Sequence, residues 1–295
     1  MNQKSSFVAV VGEPNAGKST LVNLIVGEKV SIVSNKIQTT RRQVRGITSS
    51  DNLQIVFIDT PGFCKTNTPL ERAIVSNFRS SYKDADILLL IIDATSKYYA
   101  SSLNFIEKIK TRENQILAVA INKVDIAKKE NILKIAQTLS TYDNIKEIFM
   151  ISALKNDGVD SIKEFFKNAA SEGPWLYDAN QTTDLNMKLR LAEITREMIF
   201  MKLEKELPYN IYVESELFRN AEKKARIYQS IIVMKDSQKG IVIGKDAAMI
   251  KNIKNAAIED MKNLLKKKIE LKLFVKVKEK WTEKKAHLQN AGIVD

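Results

Sequence analysis

The stretch Gly12-Glu13-Pro14-Asn15-Ala16-Gly17-Lys18-Ser19 decides how this chain is read. It fits the pattern G-x-x-x-x-G-K-[ST] and stands between an apolar run at 7–11 and a helix-like segment at 19–26, the setting such a loop needs. Glycines let the backbone wrap closely around phosphates, so that N–H groups at the helix N-terminus point at negative charge. Lys18 is then placed to reach the β- and γ-phosphates of a nucleotide, and Ser19 to bind Mg2+.

Three further stretches follow apolar runs, at the strand ends where a nucleotide-binding sheet holds its ligand. The run at 54–58 leads into Asp59-Thr60-Pro61-Gly62, which supplies a carboxylate for the Mg2+ water shell and a glycine N–H for the γ-phosphate. The run at 116–121 leads into Asn122-Lys123-Val124-Asp125, whose carboxylate can accept from both N1–H and the N2 amino group of guanine. Adenine offers no such pair, so GTP and GDP are the expected ligands. After 148–151 come Ser152-Ala153-Leu154, with backbone N–H groups for guanine O6. In Ile37-Gln38-Thr39-Thr40-Arg41 a threonine is expected as the second protein oxygen on Mg2+, and spacing alone admits Thr39 or Thr40.

Short apolar runs at 7–11, 54–58, 87–92, 116–121 and 148–151, separated by stretches long enough for crossover helices, predict a doubly wound α/β domain over 1–170. A polar stretch at 171–184, opening Ser171-Glu172-Gly173-Pro174, reads as a linker, and a smaller α+β domain is expected over 185–295. There Met187, Leu191, Ile194, Met198 and Met201 mark one helix face, strands are expected at 210–213 and 225–234, and Ile250, Ile253, Ala257, Met261 and Leu264 mark a second helix. The final strand alternates, with Ile269, Leu271, Leu273, Val275 and Val277 on one face and mostly lysines on the other.

Lys+Arg 47 against Asp+Glu 35 give a net charge of +12 over 295 residues, which favours an anionic partner. Within 239–285, 14 basic residues stand against 6 acidic ones. No apolar run approaches the ~18 residues of a membrane span, and with a strand-like run opening at residue 7 no leader peptide is expected. One cysteine, Cys64, suits a reducing cytosol. His287, the only histidine, has no ligand partners in the sequence. Trp281 and the lysines after it read either as an RNA-stacking segment or as a solvated terminal helix.

The loop spelling Gly-x-Pro-Asn-x-Gly-Lys-Ser-Thr, the sequence Gln38-Thr39-Thr40-Arg41 and Pro208-Tyr209 before a strand resemble the Era family of bacterial GTPases over nearly the whole chain. The resemblance implies a P-loop GTPase domain followed by a type II KH domain, and it picks Thr40 as the Mg2+ ligand beside Ser19 and Asp59. It implies GTP hydrolysis with Lys18, Thr40 and Gly62 contributing, nucleotide contacts from residues 12–19, 59–63, 122–125 and 152–154, and a role in small-subunit assembly through the 3′ region of 16S rRNA. Phe63 stands where a water-orienting glutamine is found in Ras-like proteins, so intrinsic turnover is expected to be slow. Related GTPases with asparagine at the position of Asn15 bind K+, which makes K+ an expected cofactor beside Mg2+. The KH loop falls on Ile243-Gly244-Lys245-Asp246-Ala247, with Lys251 nearby, and departs from Gly-x-x-Gly at Ala247. A cytoplasmic monomer is expected, with a peripheral contact at the inner face of the cell membrane as an accompanying expectation. The rival readings are a metabolic P-loop kinase and a membrane-surface GTPase without rRNA binding, the latter drawing on the lysines of 262–268.

Overall fold

The computed structural model describes residues 2–33, 44–60, 84–96, 99–109, 111–203 and 207–290. Their packing separates two compact units that change over between Asp184 and Leu185.

In the first unit, β1 (Lys4–Gly12), β2 (Val44–Ser50), β3 (Leu53–Asp59), β4 (Ile87–Asp93), β5 (Ile116–Asn122) and β6 (Glu147–Met150) form a sheet in the order β2-β3-β1-β4-β5-β6. All neighbours are parallel except β2 with β3. The four longer apolar runs become the four inner strands, and β4 is buried at every position from Ile87 to Ile92, as a strand covered on both faces must be. Helices α1 (Lys18–Val26), α2 (Ala100–Lys108), α3 (Lys129–Leu139) and α4 (Val159–Ala169) accompany the crossovers. Strand order reverses at β1, so the loop after β1 opens at the switch point where open α/β sheets bind ligands.

Strand β2 has no counterpart in the apolar pattern, because its sequence VRGITSS is half polar and lies at an edge. It pairs with β3 from Val44↔Asp59 to Ser50↔Leu53. A Cβ on Gly46 would stand 2.9 Å from Val22 and 3.0 Å from Val26, so glycine lets α1 lie close against this strand. The connection expected over 171–184 belongs to the first unit and is fastened along it. Here β7 (Ser171–Glu172) pairs antiparallel with β1, and fully buried Gln54 accepts from the N–H groups of Leu176 (2.8 Å) and Tyr177 (3.0 Å) while donating to Tyr177 O (2.8 Å).

The second unit runs α5 (Met187–Lys202), β8 (Tyr212–Asn220), β9 (Lys224–Val233), α6 (Asp236–Ile243), α7 (Ala248–Leu265), β10 (Lys268–Val277) and α8 (Lys285–Asn290). Its sheet has the order β10-β9-β8, with β9 parallel to β10 and antiparallel to β8. Leu191, Met198 and Ile199 of α5, Val242 of α6 and Ile253, Ala257 and Met261 of α7 pack on Ile227, Ile231 and Leu271 of the sheet. Met201, expected in the α5 core stripe, is 57% exposed instead, because the buried side of α5 runs through Leu191, Ala192 and Ile199 on to Leu203 and leaves Met201 at its margin. Trp281 is fully buried, lying tilted against Tyr212 with ring centroids 4.7 Å apart and donating to Asn210 O at 2.9 Å. It is therefore a core residue and not an RNA-stacking one. Among the described residues no helix is long and apolar enough to cross a membrane.

Candidate functional site

The loop after β1 owes its shape to left-handed backbone at Gly12 (φ 147°), Asn15 (φ 62°) and Gly17 (φ 100°). A Cβ at Gly12 would come within 2.4 Å of Ile91 O, and one at Gly17 within 2.1 Å of the Asn122 side-chain nitrogen. Neither position admits another residue without displacement, which is why the pattern spells glycine at both. Ala16 is buried, Pro14 half-buried and Asn15 exposed.

Lys18 opens α1 and turns back over the loop, donating to Glu13 O (2.8 Å) and Gly12 O (3.2 Å). Its burial lowers the ammonium pKa to about 8, against the opposing pull of Asp59 and Glu13. Burial likewise raises the Glu13 carboxyl, although a hydrogen bond from Ser101 offsets part of that shift. Ser19 Oγ donates to Asp59 Oδ2 at 2.7 Å. These two oxygens, one on the first turn of α1 and one at the end of β3, are the donor type that a hard divalent cation takes, and they already stand together. Thr60, also fully buried, is tied to Val10 O at 2.7 Å, which holds the end of β3 against β1.

Asn122 joins two parts of the site. Its amide donates to Ala16 O (2.7 Å) in the phosphate loop, and its Oδ1 accepts from Ala153 N (2.9 Å) in Ser152-Ala153-Leu154. One backbone donor expected for guanine O6 is thus engaged internally. Val124 N donates to Ile151 O (3.2 Å), and Asp125 is exposed at the rim beside the exposed side chains of Ile126 and Leu154. Ser152 is buried and accepts from Lys155 N at 3.2 Å.

The sequence pattern missed Asp93. Its Oδ2 accepts from Lys123 Nζ at 2.6 Å, and its Oδ1 accepts from Thr95 N (2.8 Å) and Thr95 Oγ1 (2.6 Å), pinning a lysine whose own φ is 66°. The signal was available, because Asp93 closes the apolar run of β4 and stands level with Asn122 in the register. Thr39, Thr40, Pro61, Gly62, Phe63 and Cys64 lie outside the described residues.

In the second unit the stretch Ile243-Gly244-Lys245-Asp246-Ala247 joins α6 to α7. Gly244 (φ 72°, ψ 170°) ends α6, and a Cβ there would lie 2.7 Å from Met249 Cβ. Asp246 (φ 51°) and Ala247 (φ 59°) are left-handed as well, so the loop keeps a glycine-like course without a second glycine. Lys245 and Asp246 are exposed, Ile243 and Ala247 half-buried, and Lys251 Nζ donates to Asp246 O at 3.4 Å. Ile241, one turn back on α6, leaves an exposed apolar side chain next to the loop.

A family model described as 50S ribosome-binding GTPase matches residues 7–123, and a KH domain model matches 206–282. The chain is 42% identical over 291 residues to GTPase Era of Sinorhizobium medicae, covering 98% of this chain and 94% of that one. It is also 42% identical to GTPase Era of Mesorhizobium japonicum, covering 98% and 93%. A crystal structure of Era in complex with MgGDPNP and nucleotides 1506–1542 of 16S ribosomal RNA superposes with a TM-score of 0.93 at 32% identity, covering 99% of this chain and all of that one. Era of Aquifex aeolicus, as a point variant bound to GDP and aluminium fluoride, gives the same TM-score and identity. With a P-loop GTPase sheet followed by a KH domain, the chain belongs to the Era family of GTPases.

Proposed function

We propose that this GTPase is a switch that binds the 3′ region of 16S rRNA and acts in assembly of the small ribosomal subunit, as a cytoplasmic monomer. The observation that carries the nucleotide half is the Ser19–Asp59 oxygen pair at 2.7 Å beneath a loop whose lysine is buried against its own carbonyls. When bound, Mg2+ supplies charge neutralisation for the phosphates and would be held by Ser19, Asp59 and Thr40. Lys18 would exchange its two carbonyl partners for β- and γ-phosphate oxygens, and Gly62 N–H would meet the γ-phosphate. Asp125 would select guanine, with Lys123 held over the base by Asp93 and the Leu154 N–H donating to O6.

The RNA half rests on Gly244–Ala247 with Lys245 and Lys251, and on the chain-long relative crystallised with 16S rRNA nucleotides. The family model named for the 50S ribosome covers residues 7–123 alone, whereas that relative aligns with both units, which favours the small subunit. Copurification of ribosomal subunits with the tagged protein tests the reading. Small-subunit association that differs between a non-hydrolysable GTP analogue and GDP is expected, and no association in either state overturns it. Phe63 supports slow intrinsic hydrolysis. Asn15, exposed on the loop, supports a K+ beside the phosphates, and turnover unchanged when Na+ replaces K+ would remove that ion from the mechanism.

A further inference from the structure

The turn end of the second unit holds a concave basic site of about 560 Å³ that the nucleotide and KH-loop readings leave unused. It is lined by Lys223 of the β8–β9 turn and by Lys262, Lys266, Lys267 and Lys268 around the α7–β10 turn, against one carboxylate, Glu222. Lys262 is paired with Glu259 at 2.7 Å, and Lys267 is anchored by Asn220 Oδ1 (3.0 Å) and Ala221 O (3.3 Å), which closes one turn on the other. Among the described residues no carboxylate pairs with Lys223, Lys266 or Lys268. Next to the site, Lys224 and Arg226 share Glu270, so positive charge continues onto the open sheet face.

Lys266 adds an independent observation. It caps α7 in the left-handed region (φ 53°), the position where glycine is ordinarily found because a Cβ is strained there. A charged side chain is kept at a conformational cost, and its charge faces a site already crowded with like charges. Helix-dipole compensation accounts for one lysine in the last turn and leaves the others without a role.

We infer that this pocket binds the sugar–phosphate backbone of RNA as a second contact, separate from the Gly244–Ala247 loop at the other end of α7. The inference rests on the RNA reading of that loop. The 18 residues of α7 separate the two ends by about 27 Å at ~1.5 Å per residue. At ~3.4 Å per nucleotide of stacked strand, about eight nucleotides bridge them. A KH loop clamps about four nucleotides on its own, so an RNA of roughly twelve or more should reach the pocket and a tetramer should not. An acidic membrane shares the phosphate chemistry, but membrane binding also needs apolar side chains to insert. None of the exposed large apolar residues among those described lines the pocket.

The test uses the full chain with single-stranded RNAs of about four and sixteen nucleotides, titrated between roughly 50 and 200 mM salt, with Lys266→Gly and the triple variant Lys223→Ala/Lys266→Gly/Lys268→Ala. The triple variant is expected to weaken the longer RNA by about 10-fold and lower its salt slope by about 2, three contacts at ~0.7 each, while the tetramer is unaffected. Lys266→Gly alone should raise the thermal midpoint and still lower affinity for the longer RNA. An unchanged slope for the longer RNA, equal losses for both lengths, or a more stable Lys266→Gly with undiminished affinity each overturns the proposal. So does loss of binding to acidic phospholipid vesicles with RNA binding intact, which would assign the pocket to a membrane. Wild-type protein that binds the tetramer but gains nothing from the longer RNA refutes the pocket alone, and wild type that binds neither refutes the loop reading as well.

Discussion

Two loops in this chain are read as phosphate-binding, and they are spelled with different stringency. In residues 12–19 the left-handed positions Gly12 and Gly17 leave no space for a Cβ, with Ile91 O at 2.4 Å and the Asn122 amide at 2.1 Å. In 244–247 one glycine is sterically enforced, at Gly244, while Asp246 and Ala247 adopt left-handed backbone as non-glycine residues. The first loop is packed from beneath by a sheet and an asparagine bridge, so geometry dictates residue type. The second lies between two helices at the surface, where a side chain has room and only backbone strain opposes it. A motif is legible in sequence to the degree that its surroundings forbid alternatives.

Substitutions can break this contrast. Gly17→Ala combines backbone strain with overlap on Asn122, whose amide also holds the Ser152–Leu154 loop. Nucleotide affinity measured by calorimetry should fall on the order of 1000-fold, about 4 kcal/mol. Gly244→Ala meets Met249 at 2.7 Å, but α7 begins there and its first turn can shift. RNA affinity should fall by about 10-fold with nucleotide affinity unchanged. Equal losses in the two loops would mean that packing density does not explain the difference in spelling.

A smaller effect concerns Lys18, since the enclosure that enforces glycine also depresses this ammonium to about 8. Phosphate holds the group charged, so above pH 8 the free protein must take up a proton on binding. Affinity for GDP should therefore weaken by about 4-fold between pH 7 and 8.5, with proton uptake visible in buffers of different ionisation enthalpy. In the absence of nucleotide the sign for folding is opposite. The unfolded chain binds the proton more tightly, so this group's contribution to stability rises as pH passes from about 8 toward the ordinary lysine value of 10.5. Affinity that does not change with pH over this range would show that Lys18 is not enclosed before nucleotide arrives.

Strands buried on both faces were legible because continuous apolar runs such as 87–92 have few other uses in a chain of this composition. Strand β2 was not, since its VRGITSS carries Gly46 for contact with α1 and polar residues for an edge. The 171–184 stretch looked like a spacer because its attachment is made by backbone groups and by Gln54, a glutamine within β3 whose hydrogen bonds no composition count registers. Asp59 and Asn122 were recognised by spacing, yet their partnerships with Ser19, Ala16 and Ala153 are tertiary facts. Trp281 was ambiguous for a related reason, as the lysines after it suggested RNA or solvent while its ring fills the space beside Tyr212.

The smallest expected effect is the sharpest test of the looser loop. Ala247 sits at φ 59° at the start of α7, a conformation that costs an alanine roughly 1 kcal/mol and a glycine almost nothing. Ala247→Gly loosens the unfolded chain as well, by an amount of similar size, so the net change in stability should be about 0.5 kcal/mol or less in either direction. RNA affinity is a different matter, because removing the methyl group lets a phosphate approach the N–H groups of the loop more closely. A gain of about 3-fold in affinity for a short RNA, with unfolding nearly unchanged, would show that this chain carries a weakened version of the clamp. No gain would show instead that the left-handed course at Asp246 and Ala247 already presents the backbone as a second glycine would, and that the missing residue type matters less than the retained geometry.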